Sequence, residues 1–402
     1  MDKKNCNRIV IIGAGQAGAQ FALSLRQENF NGQILLIGEE KYLPYERPQL
    51  SKEVLLNTSN EIKLIKSAEE YKALNIEVML DTKVNKVNAE QQCIEFNDGQ
   101  RISYDILVIA TGVSARQISS QQPNHFLSVR NIQDALDIKA RLIAENEILI
   151  VGGGVIGLEV ASAAIEKGCK VTVLETTSQL MGRSLDKDIS EQIRAFHEER
   201  GVKFIFDISI DRIDEEQLIF LSNGLKLKPD LVILGIGVIP NNECVHHLSI
   251  HHDFGILVNE NAQTQICNIY AIGDIAVQPN ELGQVSRIET WQNAQYQAMN
   301  LAKYLVKNEQ NLSQPNWFWS DQASLNLQVI GQVKDLKKIE RKVDDKKSSF
   351  FYFNDQNELK GCLTLNNPKD MAVARRWVST QQKIDLVKLA DQKTSLKDCL
   401  LG

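Results

Sequence analysis

The hydrophobic positions of this 402-residue chain fall in short runs rather than in long stripes. Arg8-Ile-Val-Ile-Ile12 and Gln33-Ile-Leu-Leu-Ile37 each place four apolar residues behind one polar lead. A strand buried on both faces of a parallel sheet needs such a run. Between the two, residues 17–28 are rich in Ala, Leu, Gln and Arg and are expected to be helical. The succession then returns: a strand over Glu147–Val151, a helix over 158–167, a strand over Lys170–Leu174. Apolar runs at 105–112 and 269–274 predict two more buried strands. Past a polar stretch ending at Gln314 and Pro315 the texture changes. Leu325–Ile330 alternates, 349–353 and 361–365 cluster as strands, and 370–381 and 384–389 pattern as helices. The expectation is an α/β chain with two repeated strand–helix–strand units and a small α+β domain at its C-terminal end.

Composition narrows the function classes. Apolar residues are 43% and charged residues 24%, the balance of an ordinary folded protein. No stretch reaches the 18 or so apolar residues of a membrane span. The apolar run at Ile9–Ile12 is broken by glycines too early to form a secretory core. A net charge of −6 argues against nucleic acid as the main partner. That charge is unevenly spread: residues 317–402 carry 15 basic and 11 acidic side chains, for +4, and the rest carries 30 against 40, for −10. The seven cysteines, at 6, 93, 169, 244, 267, 362 and 399, allow no CxxC motif. Local zinc, iron–sulfur and thioredoxin-like motifs are thereby excluded, no metal site is expected, and a reducing, cytoplasmic setting is.

The glycines carry the chemistry. Gly13-Ala14-Gly15-Gln16-Ala17-Gly18 follows the first strand at G-x-G-x-x-G spacing. The first glycine permits a tight turn, the second lets backbone approach a pyrophosphate, and the third lets helix and strand close together, with the diphosphate on the helix N-terminus. Glu39, just past the second strand, stands where an acid takes ribose hydroxyls. Gly152-Gly153-Gly154-Val155-Ile156-Gly157 repeats the fingerprint, and its second strand closes on Glu175. A carboxylate there binds the adenosine 2′-hydroxyl and repels a 2′-phosphate, so the second site is expected to prefer NADH. Two dinucleotides in one chain suggest hydride transfer between them, with a flavin as the acceptor. The bland alternative for each motif alone is a glycine-rich turn in an ordinary α/β sheet.

Order along the chain adds a resemblance. The first cradle, an Asp105–Gly112 run ending Ala-Thr-Gly, the second cradle and Ile269-Tyr-Ala-Ile-Gly-Asp274 resemble, in sequence, the glutathione-reductase-like flavoprotein reductases with two three-layer dinucleotide-binding domains. That resemblance implies FAD at the first cradle, with Asp274 on the flavin ribitol. Thiol-relay branches of the class place cysteine after the first cradle, whereas here none occurs between Cys6 and Cys93. Pro44-Tyr-Glu-Arg-Pro-Gln-Leu-Ser-Lys52 instead resembles the Pro-Tyr-x-Arg-Pro-Pro-Leu-Ser-Lys signature of oxygenase-coupled NADH–ferredoxin reductases, Gln49 standing for one proline. Leu234–Asn241, which contains Gly237, Glu289–Gln295 and Trp317-Phe-Trp-Ser-Asp-Gln322 resemble further blocks of that family. Tyr42–Pro48 and Leu363–Asn366 are most similar to its 3-phenylpropionate and cinnamate branch.

The resemblance implies roles by position. Lys52 and Glu159 become the catalytic pair beside the flavin N5. Arg47 becomes a ligand of the FAD diphosphate, Val84 and Arg130 further flavin contacts, and Trp291 and Trp319 covers of the flavin ring. Gly237 joins the NAD site. The electron acceptor implied is a [2Fe–2S] ferredoxin feeding a terminal aromatic-ring dioxygenase; the basic 317–402 segment, with Lys337-Lys338, Arg341-Lys342 and Lys346-Lys347, would attract such an acidic partner. A rubredoxin- or cytochrome-directed reductase, or an NADH-sensing flavoprotein, are the rival readings. The domain division expected is 1–111 with 241–314 for FAD, 112–240 for NAD, and 315–402 as a C-terminal interface domain.

Overall fold

The computed structural model describes residues 6–57, 61–118, 123–279, 285–309 and 314–401. The elements that position the site are, in chain order, β1 (Arg8–Ile12), α1 (Gln16–Gln27), β2 (Gln33–Ile37), β3 (Ile106–Ile109), β4 (Glu147–Val151), α2 (Val155–Glu166), β5 (Lys170–Leu174), α3 (Lys187–Glu199), β6 (Leu231–Leu234), β7 (Ile269–Ala271), α4 (Trp291–Lys307) and β8 (Trp317–Gln322). Packing divides the chain into two compact units, one of residues 1–47, 62–114 and 238–313, the other of 48–61, 115–237 and 314–402.

The first unit is built on a parallel sheet in the order β7, β3, β1, β2, with Ile76–Met79 at its edge. Alternate residues of one strand serve opposite faces. Ile9 and Ile11 of β1 join Phe21 of α1 and Leu301 of α4 in one core. Val10 and Ile12 join Val84, Val87 and Ile94 of a three-stranded antiparallel sheet in another. Helices, parallel sheet and antiparallel sheet thus make three layers.

The second unit repeats the scheme with a parallel sheet of Lys203–Ile205, β5, β4, β6 and Phe126–Leu127. Residues 317–365 form a five-stranded antiparallel sheet in the same unit. One face of it, with Leu327, Val329 and Phe350, shares a core with Leu158 of α2 and Ile189 and Ile193 of α3. Its other face, with Phe351 and Cys362, is covered by Trp377 and Met371 of the helix Pro368–Ser379. The segment 315–402 therefore has its own sheet but not a wholly private core. Residues 48–57 and 61, expected in the first domain, belong to this second unit.

Both cradle helices begin earlier than apolar periodicity indicates, at Gln16 and Val155, because their N-caps, Gly15 and Gly154, lie inside the glycine motifs. The pattern gives no sign of the strand Trp317–Gln322, a paired member of the antiparallel sheet. The basic run 337–347 allows an ordinary solvated hairpin, and Lys337–Asp344 does pair with Lys347–Phe353 as one, although no alternation marks its first strand. Its charge run hid it: Lys337-Lys-Ile-Glu-Arg-Lys-Val-Asp344 buries only Arg341 fully.

Candidate active site

In the first cradle Gly13 sits at φ +109°, and a Cβ there would fall 2.2 Å from the Ala110 carbonyl oxygen at the end of β3. A Cβ on Gly18 would fall 1.9 Å from the Gly13 oxygen. Both glycines are thus dictated by backbone approach. Gly15 caps α1 without a side-chain hydrogen bond, and no acid stands in the first turn. The leading N–H groups and the positive end of the helix dipole are left for an anion. Ala14 and Ala17 keep this turn small, and the buried Oε1 of Gln16 has no hydrogen-bond partner among the described residues. The nearest foreign group to a Cβ at Gly15 is the Arg47 guanidinium, at 3.8 Å. Arg47 is braced by Glu40 Oε1 at 2.7 Å and the Tyr45 hydroxyl at 3.3 Å, while Tyr45 donates to Glu40 Oε2 at 2.6 Å. Gly273, at φ +75°, packs so close to Ala17 that a Cβ would approach it to 2.8 Å, which brings the neighbouring Asp274 to the start of α1. A diphosphate fits the arrangement: bare N–H groups, an arginine above them, and glycines that a Cβ would fill.

Other expected FAD ligands of this unit sit variously. Trp291 opens α4, and its indole N–H donates to Glu46 Oε2 at 2.9 Å. Glu39 is exposed beyond β2 and pairs with Lys83 at 3.0 Å. Val84 lies with its side chain in the core of the unit.

The second cradle has the same construction. Gly152 lies at φ +108° with a would-be Cβ 2.4 Å from the Gly235 oxygen, and one on Gly157 would stand 2.3 Å from the Gly152 oxygen. Gly154 caps α2 with no side-chain bond, and Val155 and Ile156 put no acid in the first turn. Glu175 accepts from the Gly153 N–H at 2.8 Å and from Thr177 N–H at 2.9 Å. The strand-end carboxylate therefore holds the glycine loop in place, a duty that sequence spacing did not reveal. Gly237, at φ +97°, accepts from the Arg116 N–H at 2.9 Å. The Arg130 N–H donates to Asp134 Oδ2 beside the Asn131 cap of the helix Ile132–Lys139.

Within the second unit lies the most unusual group of side chains. Glu159, in α2, is 3% exposed, and its Oε1 stands 3.2 Å from the Lys52 ammonium. The Ser51 hydroxyl donates to Oε2 at 2.5 Å and the Ser320 hydroxyl to Oε1 at 2.7 Å. Burial pushes the Glu159 carboxyl above its ordinary range, and Lys52, Ser51 and Ser320 each pull it back. Lys52 also lies 3.9 Å from Asp321 and 5.6 Å from the ring centroid of Trp319, which stacks on Trp317 at 5.1 Å. The pair Lys52 and Glu159, implied by resemblance, are thus in contact. Ser51, Ser320 and Asp321 were passed over, although all three stand inside the two quoted signature blocks.

The basic hairpin changes character in three dimensions. Arg341 is buried and donates to the carbonyls of Leu389, Asp391 and Thr394, so it ties down the C-terminal loop. Lys338 bridges Asp186 and Asp188. Lys342 pairs with Asp345, while Lys337, Lys346 and Lys347 remain exposed. Among the described residues no group of His, Cys, Asp and Glu could hold a metal, and no helix is long and apolar enough to cross a membrane.

Comparisons with known proteins identify the family of the chain. Residues 7–298 match the family model described as pyridine nucleotide-disulphide oxidoreductase, and 317–400 match the reductase C-terminal domain. The chain is 43% identical over 400 residues to the p-cumate 2,3-dioxygenase system ferredoxin–NAD(+) reductase component of Pseudomonas putida, covering 98% of this chain and 99% of that one. It is 32% identical over 382 residues to the 3-phenylpropionate/cinnamic acid dioxygenase ferredoxin–NAD(+) reductase component of Photorhabdus laumondii, covering 93% and 97%. Among solved structures, the putidaredoxin reductase–putidaredoxin complex matches with a TM-score of 0.91 at 30% identity over 98% of each chain. The ferredoxin reductase for the CYP199A2 system of Rhodopseudomonas palustris matches at 0.92 and 29%, covering 98% and 100%.

Proposed function

The chain belongs to the pyridine nucleotide-disulphide oxidoreductase family, and on that premise we propose that it is the FAD-dependent reductase that oxidises NADH and passes electrons to a [2Fe–2S] ferredoxin serving an aromatic-ring dioxygenase. The observation that carries this reading is the presence, in one chain, of two helices that start at bare glycine caps, the first beneath Arg47. The full-length likeness to two ferredoxin–NAD(+) reductase components supports the choice of acceptor. So does the absence of any cysteine between Cys6 and Cys93, which leaves no thiol relay after the first cradle. The seven free cysteines fit a cytoplasmic setting.

Bound FAD supplies a group that takes two electrons as hydride and releases them one at a time. The α1 N-terminus and Arg47 hold its diphosphate, and Asp274 takes the polyol that follows. The α2 N-terminus holds the NADH diphosphate, and Glu175, beside Gly153, takes the adenosine ribose and disfavours NADPH. Lys52 contributes a fixed positive charge where negative charge develops during hydride transfer, and Glu159 keeps that ammonium in place. Trp291 and Trp319 provide flat apolar cover. The FAD part is taken as 1–111 with 241–314, the NAD part as 112–240 and the C-terminal part as 315–402.

Stopped-flow mixing tests the proposal. NADH should reduce the protein-bound flavin, and a [2Fe–2S] ferredoxin from a dioxygenase system should reoxidise it. Indifference of the reduced protein to every such ferredoxin, with rapid reoxidation by a rubredoxin or a cytochrome, would overturn it.

A further inference from the structure

The Lys52–Glu159 pair is the end of a longer chain of buried polar groups. Ser320 donates to Glu159 Oε1 at 2.7 Å. Ser320 Oγ in turn accepts from Gln322 Nε2 at 3.1 Å. Gln322 Oε1 lies 2.8 Å from His197 Nε2. Ser320, Gln322 and His197 are each wholly buried. His197 projects from α3 into an apolar setting, edge-on to Phe196 at 5.4 Å and to Phe204 at 6.2 Å, and its Nδ1 has no hydrogen-bond partner among the described residues. Buried polar groups cost stability unless paired.

The donor order along this chain is fixed by chemistry. A hydroxyl has one hydrogen to give. Ser320 can give its hydrogen to Glu159 only if Gln322 presents its NH2 to the hydroxyl and its oxygen to His197. The oxygen is acceptable to His197 only if Nε2 carries the proton. A Gln322 turned the other way would take the Ser320 hydrogen and leave Glu159 one donor short.

We propose that His197 and Gln322 are positioning residues that act through Ser320, setting the polarity of this relay so that Glu159 stays ionised against Lys52. The inference rests on the reading that the Lys52–Glu159 pair works in hydride transfer, and it goes beyond that reading in naming what holds the pair charged. Among the described residues, three charged groups other than Glu159 itself stand toward the relay. Lys52 faces Glu159, Asp321 faces Lys52 at 3.9 Å, and Arg200 stands toward His197. Burial lowers the His197 pKa, with Arg200 acting in the same direction and Gln322 opposing. The imidazole is thereby biased toward its neutral form, in which the contact with the Gln322 oxygen selects the Nε2-protonated tautomer.

The relay is tested on the FAD-loaded protein with two kinds of readout. Nitrogen-15 histidine NMR on the wild type should find His197 with a proton on Nε2; a neutral ring protonated on Nδ1 alone at neutral pH overturns the proposal. The infrared signal of the protonated Glu159 carboxyl, identified by its loss in Glu159→Gln, is then followed against pH. His197→Leu, which frees Gln322 to turn and take the Ser320 hydrogen, should raise its midpoint by about one pH unit, the worth of one hydrogen bond to a charged group. His197→Gln, which restores an N–H near the Nε2 position, should reverse most of the shift. An unmoved midpoint in His197→Leu overturns the relay. The acid limb of flavin reduction by NADH should move with the carboxyl; a shifted carboxyl with an unmoved limb keeps the relay and overturns the assigned role of the pair.

Discussion

At the residue scale, the proposed chemistry turns on a lysine whose charge is held in place rather than left to solvent. Lys52 is held by Glu159 at 3.2 Å, and its side chain is only 12% exposed. Replacement by an apolar side chain of like length, Lys52→Met, should lower the rate of flavin reduction by NADH about a hundredfold, the usual scale for one electrostatic stabiliser. Flavin content, read from visible absorbance, should remain. Stopped-flow absorbance decides it. Glu159 allows a second expectation, with a defined sign. Its carboxyl is held above the ordinary 4.5 by burial, which outweighs Lys52, Ser51 and Ser320. From 4.5 up to the raised value, the folded protein binds more protons than the unfolded chain, so stability falls as pH rises. Glu159→Gln removes that slope. Denaturant midpoints of the variant, measured against the wild type, should therefore improve as pH is raised through this window.

At the scale of elements, the two cradles assign different work to glycines three residues apart. A Cβ on Gly154 meets nothing within 4 Å, whereas one on Gly157 would stand 2.3 Å from the Gly152 oxygen. Gly157→Ala should therefore cost about 1–3 kcal/mol of stability through overpacking. Gly154→Ala should leave the unfolding midpoint unchanged but raise the KM for NADH, since the second glycine is where backbone meets pyrophosphate. Unfolding curves and steady-state kinetics on both variants separate the two costs.

The same elements mark what was legible in the sequence. Both strand–helix–strand units could be read because a doubly buried strand leaves an unbroken apolar run, and because glycines at fixed spacing have few other uses. Lys52 and Glu159 were legible only through resemblance; a lysine in a loop and a glutamate in a helix carry no periodic signal. Ser51, Ser320, Gln322 and His197 were not legible as a group, since contacts 108, 161 and 125 residues apart in sequence connect them. The strand at Lys337–Asp344 was hidden for a different reason. It is an edge strand, and its exposed charges erase the alternation that would announce it.

At the scale of the whole molecule, the cysteines say most about the route of electrons. Cys93, Cys169, Cys244, Cys362 and Cys399 are buried, Cys6 is partly so, and Cys267 is exposed. Burial raises the thiol of Cys6 to about 11 and that of Cys244 to about 12, which leaves both inert as nucleophiles near neutral pH. Alkylation of the native protein with iodoacetamide should therefore label chiefly Cys267 and leave NADH-dependent ferredoxin reduction intact. Mass spectrometry for the labelled position and the rate before and after labelling check this. A large loss of rate would point to a thiol in the electron path.

The bare helix starts at Gly15 and Gly154 have a consequence for what counts as the complete secondary structure of this protein. Most helices recruit their own serine, threonine, asparagine or aspartate to take up the first N–H groups, as Ser67, Asn131 and Asp385 do elsewhere in this chain. On the proposed function, the two cradle helices delegate that duty to molecules that are not part of the polypeptide. A dinucleotide phosphate is then a removable cap, and each binding event is also the last step in folding a helix. Occupancy and local stability become one quantity measured in two ways, coupled by mass action.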